Sequence, residues 1–99
     1  MAKKVLILVE QDFQDMEAMY PYYRLKEAGF DVKVAGSDAK SYKGKYGYPI
    51  ETDGGIDDFD ADDFDAVIVP GGWAPDYMRR NKAMVDFVKG MDEKGKVVA

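Results

Sequence analysis

The chain has 99 residues, of which 46% are hydrophobic, and a chain of this size can bury one small core but not two domains. Its formal charge of −5 argues against nucleic acid and against an anionic membrane surface as partners, because both would repel an acidic protein. It contains no cysteine and no histidine, which excludes a disulfide, an ordinary zinc site and a Cys–His or Ser–His catalytic pair within residues 1–99.

The first predicted elements form a βαβ unit. Residues 5–9 and 32–35 are continuous apolar runs, which are typical of parallel strands buried on both faces. Residues 15–28 between them have a helical period, and Gly29 is placed as the C-terminal stop. The apolar stripe of this amphipathic helix consists of Met16, Met19, Tyr20, Tyr23 and Ala28.

The second half of the chain repeats the alternation after a short excursion. Residues 41–52 contain two glycines, have no helical period and predict a small β-hairpin. A strand over residues 66–69 precedes a helix that begins at the N-cap Asn81 and ends before Gly95, and a strand follows over residues 96–99. This order predicts an α/β fold with a flavodoxin-like, doubly wound parallel sheet. Because a buried final strand would need further cover, we expect the domain to continue beyond Ala99.

Glu17 lies in the first turn of the first helix, and two interpretations of it remain open. Acids at a helix start are stabilised by the helix dipole, which would make its role structural. Alternatively, Glu17 is aimed across the carboxyl edge of the sheet, where ligands of open α/β folds bind. Pro21 cannot donate a hydrogen bond to the carbonyl of residue 17 and should bend the helix at that point.

The stretch PGGWAPD, residues 70–76, follows the third predicted strand directly. Gly71 and Gly72 would let backbone N–H groups approach a ligand or a neighbouring loop without obstruction by a Cβ atom, a geometry suited to an oxyanion hole. The alternative is a tight strand-to-helix turn in which Trp73 packs against the fold.

Three motifs occur in order along the chain: E-x-x-Y-P-x-x-R-L-x-x-A-G, G-K-x-G-Y and V-P-G-G-x-A-P-D. Together they resemble the PfpI family of intracellular cysteine proteases and deglycases, in the superfamily of the class I glutamine amidotransferases. In that family the strand matching residues 97–99 leads directly into a nucleophile elbow that contains Cys-His-Gly. The resemblance therefore implies that residues 1–99 are the N-terminal part of one such domain and end just before the nucleophile.

The resemblance also implies roles for four residues. Glu17 matches the glutamate that hydrogen-bonds the nucleophilic sulfur, and Gly71 and Gly72 are placed at the oxyanion hole, with the amide of Gly72 the better candidate. Asp76 matches an acid, usually glutamate, that reaches the histidine of a neighbouring subunit. The aspartate is one methylene shorter, which puts its reach in doubt.

The expected function is that of a cysteine-dependent hydrolase acting on peptides, or on α-oxoaldehydes and their adducts, through a thiolate. The alternative is a non-catalytic, redox-sensing or stress-protective protein whose cysteine oxidises reversibly. In either case we expect residues 1–99 alone to be inactive, since they carry no thiol or imidazole. We further expect a homodimer or hexamer, no cofactor or metal, and no membrane partner. We expect a cytoplasmic location, because no run approaches the roughly 20 apolar residues of a membrane helix and the N-terminus lacks a signal peptide.

Overall fold

A computed structural model describes residues 3–99 and contains one parallel sheet, a separate hairpin and three helices in that range. In chain order the elements are β1 (Lys4–Leu8), α1 (Asp15–Glu27), β2 (Asp31–Gly36), β3 (Ser41–Lys43), β4 (Pro49–Glu51), β5 (Gly54–Gly55), β6 (Ala66–Ile68), α2 (Ala74–Met78), α3 (Lys82–Glu93) and β7 (Val97–Val98). Two single 3₁₀ turns, Ile56–Asp58 and Ala61–Asp63, join β5 to β6.

The sheet has the strand order β5-β2-β1-β6-β7, and all its strand pairs are parallel. β1 lies at the centre, and its residues Leu6, Ile7 and Leu8 are fully buried, as a strand covered on both faces requires. Without the two-residue edge strand β5, the order is β2-β1-β6-β7. Renumbered along the chain, these four strands have the order 2-1-3-4, which is the flavodoxin-like order. The predicted α/β class and the four predicted strands are confirmed, and β5 is an addition that the sequence pattern did not indicate.

The predicted hairpin is also confirmed. β3 and β4 pair in antiparallel fashion outside the main sheet, with Tyr42 opposite Ile50. Both of these side chains are buried, so the hairpin packs one face onto the domain.

Helix α3 is amphipathic and begins directly after the predicted N-cap, Asn81. Asn81 caps it, since its side-chain oxygen accepts a hydrogen bond from the N–H of Met84 at 3.2 Å. Met84, Phe87 and Met91, spaced at three and four residues, form its buried face. The ring of Phe87 packs edge-on against that of Phe64, just before β6.

Helix α1 faces the sheet with a different stripe from the predicted one. Its inner positions are the fully buried Ala18 and the half-buried Tyr22 and Leu25. The predicted stripe lies largely on the outer surface, where Met16 is 62% and Tyr20 64% exposed. The outward residues and Tyr48 of the hairpin border an open groove of about 470 Å³, lined by Met16, Met19, Tyr20, Tyr23, Arg24, Glu27 and Tyr48.

The helix continues past Pro21 as a single element. Among residues 3–99, no helix combines the length and the apolarity needed to cross a bilayer.

Candidate functional site

The candidate site lies at the carboxyl edge of the sheet, where the neighbouring strands β1 and β6 end. Parallel strands bring the loops that follow them to the same edge. Residues 9–14 connect β1 to α1, and residues 69–73 connect β6 to α2. Three of the four predicted site residues, Glu17, Gly71 and Gly72, lie on these loops or in the first turn of α1.

Glu17 and Gly71 are in direct contact. The Oε1 atom of Glu17 accepts a hydrogen bond from the backbone N–H of Gly71 at 2.7 Å. A Cβ atom at position 71 would lie 2.7 Å from the same oxygen, so the absence of a side chain there allows the carboxylate to approach. The other oxygen, Oε2, accepts no hydrogen bond from residues 3–99, and the side chain is exposed. Glu17 is therefore held at one oxygen and open to a ligand at the other.

Gly72 is required by the close approach of the β1–α1 loop. Its φ of +84° is in the left-handed region, and a Cβ atom there would lie 2.6 Å from the carbonyl oxygen of Asp12. The N–H of Gln14 donates to the carbonyl of Gly71 at 2.9 Å, and the N–H of Trp73 donates to the carbonyl of Asp12 at 2.9 Å. These two bonds flank an antiparallel bridge between Phe13 and Gly72. The neighbouring loop thus accounts for Gly72, whereas the carboxylate of Glu17 accounts for Gly71.

The same geometry separates the two amides that were predicted to form the oxyanion hole. The N–H of Gly71 donates to Glu17, whereas Gly72 was the better candidate of the two for the oxyanion hole. In a bridge whose hydrogen bonds are made by the flanking residues, the N–H of the central residue points away from the partner segment. The N–H of Gly72 is in this position, and it donates no hydrogen bond within residues 3–99.

Asp76 lies apart from the other three residues, in the first turn of α2. Its Oδ1 accepts a hydrogen bond from Arg79 Nη1 at 2.8 Å, and its side chain is 52% exposed. It makes no hydrogen bond or ion pair with Glu17 or with either glycine. Trp73 and Tyr77 beside it are 62% and 42% exposed, so the packing role suggested for Trp73 is not seen.

Asp15 is an important residue that the sequence reasoning missed. It is the only buried charged side chain among residues 3–99, at 2% exposure. Its Oδ1 and Oδ2 accept hydrogen bonds from the backbone N–H groups of Tyr46 and Tyr48, both at 3.0 Å. In the sequence, Asp15 looks like an ordinary acid that stabilises the helix dipole. The available indication of its contact with the hairpin was that it occurs in the same chain as the glycine-rich turn G-K-x-G-Y.

The site as a whole presents a carboxylate and a free backbone N–H at one edge of the sheet. A carboxylate can exchange a proton with a ligand or accept its hydrogen bond, and a free amide can stabilise a developing oxyanion. Residues 1–99 carry no thiol or imidazole, so they provide no nucleophile of the Cys–His type for these groups to assist.

The chain is similar to several known proteins. The family model described as "DJ-1/PfpI family" matches residues 3–99. Deglycase TK1284 of Thermococcus kodakarensis is 45% identical over 96 residues, which cover 97% of this chain and 58% of that protein. General stress protein 18 of Bacillus subtilis is 37% identical over 102 residues, covering the whole chain and 59% of that protein. The chain therefore spans somewhat more than half the length of these relatives.

The fold is shared with a solved structure as well. A two-domain protein from Anabaena variabilis, described as containing DJ-1/ThiJ/PfpI-like and ferritin-like domains, superimposes with a TM-score of 0.94 at 49% identity. The match covers 97% of this chain and 28% of that one. With a family model matching nearly every residue and a close structural counterpart, the chain belongs to the DJ-1/PfpI family.

Proposed function

We propose that residues 1–99 supply the carboxylate and the oxyanion-hole amide of a cysteine-dependent hydrolase whose thiol lies outside this segment. The observation that carries the proposal is the pairing of Glu17 with Gly71, together with the N–H of the next residue, Gly72, which donates no hydrogen bond within the described residues. The similarity to a protein named as a deglycase supports hydrolytic chemistry on a carbonyl-derived substrate. The substrate class would be α-oxoaldehydes and their adducts, or peptides.

The proposed chemistry assigns one task to each group. A thiolate attacks the carbonyl carbon of the substrate, and the electron pair of the C=O bond moves onto its oxygen. The N–H of Gly72 donates to that oxygen and stabilises its negative charge. Glu17, held by Gly71 through Oε1, presents Oε2 to the sulfur and tunes its protonation. With a peptide, the tetrahedral adduct collapses to a thioester and expels the amine, which takes up a proton. With an α-oxoaldehyde, a proton moves from the carbon that bears the sulfur to the neighbouring carbonyl carbon, and the adduct becomes the thioester of a 2-hydroxy acid. Water then hydrolyses the thioester to the carboxylic acid and the free thiol.

A second candidate function is reversible oxidation of the same thiol without turnover. The similarity to a protein named as a general stress protein favours it. In this case Glu17 would accept a hydrogen bond from an oxidised sulfur, and the amide of Gly72 would have no substrate oxygen to bind.

We extend the proposal to self-association as a homodimer or hexamer in the cytoplasm. Asp76 lies on a surface with exposed Trp73 and Tyr77, and large aromatic side chains of this kind are enriched at subunit contacts. In an oligomer, Asp76 could orient a histidine of the neighbouring subunit. A reducing compartment would keep the catalytic thiol available.

The experiment that tests the proposal measures turnover of methylglyoxal, of a methylglyoxal-modified peptide and of an unmodified peptide by the complete protein. Loss of turnover in a variant without the thiol, and no turnover by residues 1–99 alone, is the expected result. Stoichiometric consumption of peroxide without turnover of any of the three substrates would instead support the redox function. Sustained turnover by residues 1–99 would overturn the thiol mechanism.

A further inference from the structure

The carboxylate of Asp15 is enclosed by the hairpin turn that connects β3 to β4. Both of its oxygens accept backbone N–H groups from this turn, as described above. Gly44 lies directly against it, since a Cβ atom there would be 2.3 Å from Asp15 Cγ. The turn is closed by hydrogen bonds from the N–H of Gly44 to the carbonyl of Tyr48 and from the N–H of Gly47 to the carbonyl of Gly44, both at 2.9 Å. The turn is therefore shaped around a charged group that water does not reach.

The same hairpin is bonded to the loop that contacts the candidate site. The N–H of Lys45 donates to the carbonyl of Phe13 at 2.9 Å, and the N–H of Asp12 donates to the carbonyl of Lys43 at 3.0 Å. Phe13 bridges Gly44 on this side and Gly72 on the other, and its side chain is fully buried. Residues 12–14 thus lie between the hairpin and the loop that contains Gly71 and Gly72, and are hydrogen-bonded to both.

We propose that Asp15 is a positioning residue for the site: by fixing the hairpin to α1, it holds residues 12–14, and through them Gly71 and Gly72, in place relative to Glu17. Asp15 and Glu17 lie in the same first turn of α1. Asp15 is bonded to the hairpin, the hairpin to residues 12–14, and residues 12–14 to the loop of Gly71 and Gly72. Because Gly71 is bonded in turn to Glu17, these contacts form a closed ring that includes the hydrogen bond between Glu17 and Gly71. The relevance of this ring to catalysis rests on the proposed function, but the positioning itself does not.

The simpler alternative is that Asp15 only stabilises the hairpin. A buried carboxylate with two amide donors contributes to stability wherever it occurs, and its removal leaves two buried N–H groups without a partner. The two possibilities differ in what happens at Gly71, which Asp15 does not touch.

The test compares amide hydrogen exchange, residue by residue, in the wild-type protein and in Asp15→Asn. The asparagine keeps the shape of the side chain but turns an NH₂ group toward one of the two amides, which loses its acceptor. We expect the amides of Tyr46 and Tyr48 to exchange faster, and the amide of Gly71 to exchange roughly tenfold faster or more, the factor expected when a hydrogen bond to a charged group is lost. Faster exchange at Tyr46 and Tyr48 with an unchanged Gly71 would overturn the proposal.

A milder pair of variants keeps the test decisive if Asp15→Asn does not fold. Gly47 and Gly29 have φ values of +90° and +89°, and neither would place a Cβ atom within 4 Å of another residue. Gly47→Ala and Gly29→Ala therefore introduce the same backbone strain, one in the hairpin turn and the other after α1. We expect Gly47→Ala alone to accelerate exchange at Gly71. Equal effects of the two variants would contradict the positioning role.

These measurements do not depend on turnover. If the complete protein proves not to be a hydrolase, the amide exchange at Gly71 still decides whether Asp15 positions the site. If it is a hydrolase, Asp15→Asn should lower kcat with little change in the pH of half-maximal rate, because Asp15 does not exchange a proton with the substrate.

Discussion

Glu17 and Gly71 are 54 residues apart in the chain, yet the hydrogen bond between them joins α1 to the loop after β6. Neither residue is unusual by itself, since helix starts often carry acids and strand ends often carry glycines. Their contact joins two features that would otherwise each have only a local structural explanation. It holds the carboxylate of Glu17 against the loop that contains Gly72, with one carboxylate oxygen that accepts no hydrogen bond from residues 3–99.

The first prediction concerns the charge at position 17. In the complete protein, Glu17→Gln should leave the fold in place, because the amide oxygen of glutamine can still accept the N–H of Gly71. On the proposed mechanism, the same change should alter the pKa of the catalytic thiol and its rate of reaction with peroxide, because the carboxyl group would no longer interact with the sulfur. Titration of thiolate absorbance in the ultraviolet measures the first effect. Superimposable titration curves for the wild type and Glu17→Gln would mean that Glu17 only stabilises the helix dipole.

The second prediction contrasts two glycines. Gly72→Ala should lower the free energy of unfolding by about 2–4 kcal/mol, because alanine is strained at positive φ and its Cβ would collide with backbone atoms. Gly90→Ala should raise the free energy of unfolding by about 0.5–1 kcal/mol, since Gly90 is inside α3 and the nearest atom to a new Cβ is 3.8 Å away. Urea unfolding of both variants gives the signs. Similar changes in the free energy of unfolding for the two variants would mean that the loop at Gly72 can relax around the added methyl group.

The third prediction is that Asp76 acts on a neighbouring subunit. Two inactive variants of the complete protein, one without the thiol and one carrying Asp76→Ala, should regain activity when they are dissociated and reassembled together. In a dimer with random exchange, about a quarter of the wild-type activity is expected, because half of the dimers are mixed and each contains one intact site.

Arg79→Ala is the matched control for this experiment. It removes the partner of Asp76 within the chain but keeps the acid, so it should retain activity if Asp76 works in trans. If Arg79→Ala is as damaging as Asp76→Ala, and mixing restores nothing despite confirmed exchange, Asp76 has only a structural role in α2.

The fourth prediction concerns pH and the ion pair between Asp62 and Lys94. The Lys94 ammonium donates a hydrogen bond to the Asp62 carboxylate and holds the pKa of that carboxyl below its usual value. Because the folded-state pKa is lowered, the pair stabilises the protein above the ordinary pKa of aspartate, and the contribution is lost as the pH falls through the lowered value. Lys94→Met should therefore reduce stability at neutral pH and have no effect on stability once Asp62 is protonated.

An NMR titration of the Asp62 carboxyl carbon checks the cause. Its midpoint should return to the usual range in Lys94→Met. Because both side chains are exposed, we expect a small loss of stability, as is usual for surface ion pairs.

Much of the fold could be predicted because it depends on local patterns. Continuous apolar runs located the main strands, and the capping residue Asn81 marked the start of α3 within one residue. The outward stripe of α1 could not be recognised, because Met and Tyr at helical spacing have the same pattern whether they face a core or the surface. Only the position of the helix on the sheet shows which side is covered.

The candidate site was predicted less completely for a similar reason. Glu17 and Gly72 were singled out by their positions at a helix start and a strand end, and the motif resemblance gave them roles. The hydrogen bond of Gly71 and the burial of Asp15 depend on residues far away in the sequence. No local propensity indicates that the amides of a hairpin turn will enclose an acid located some thirty residues earlier. Such contacts become visible only when the loops are assembled at the sheet edge.

The position of residues 12–14 between the hairpin and the Gly71–Gly72 loop also has a consequence for folding kinetics. The bridge between Phe13 and Gly72 closes a chain loop about twice as long as the one closed when β1 pairs with β2 in the βαβ unit, whereas the bridge between Phe13 and Gly44 closes a loop of similar length to that unit. We infer that the βαβ unit is structured in the transition state and that the site forms on the native side of the barrier. Substitutions in the site should then accelerate unfolding and leave the refolding rate nearly unchanged.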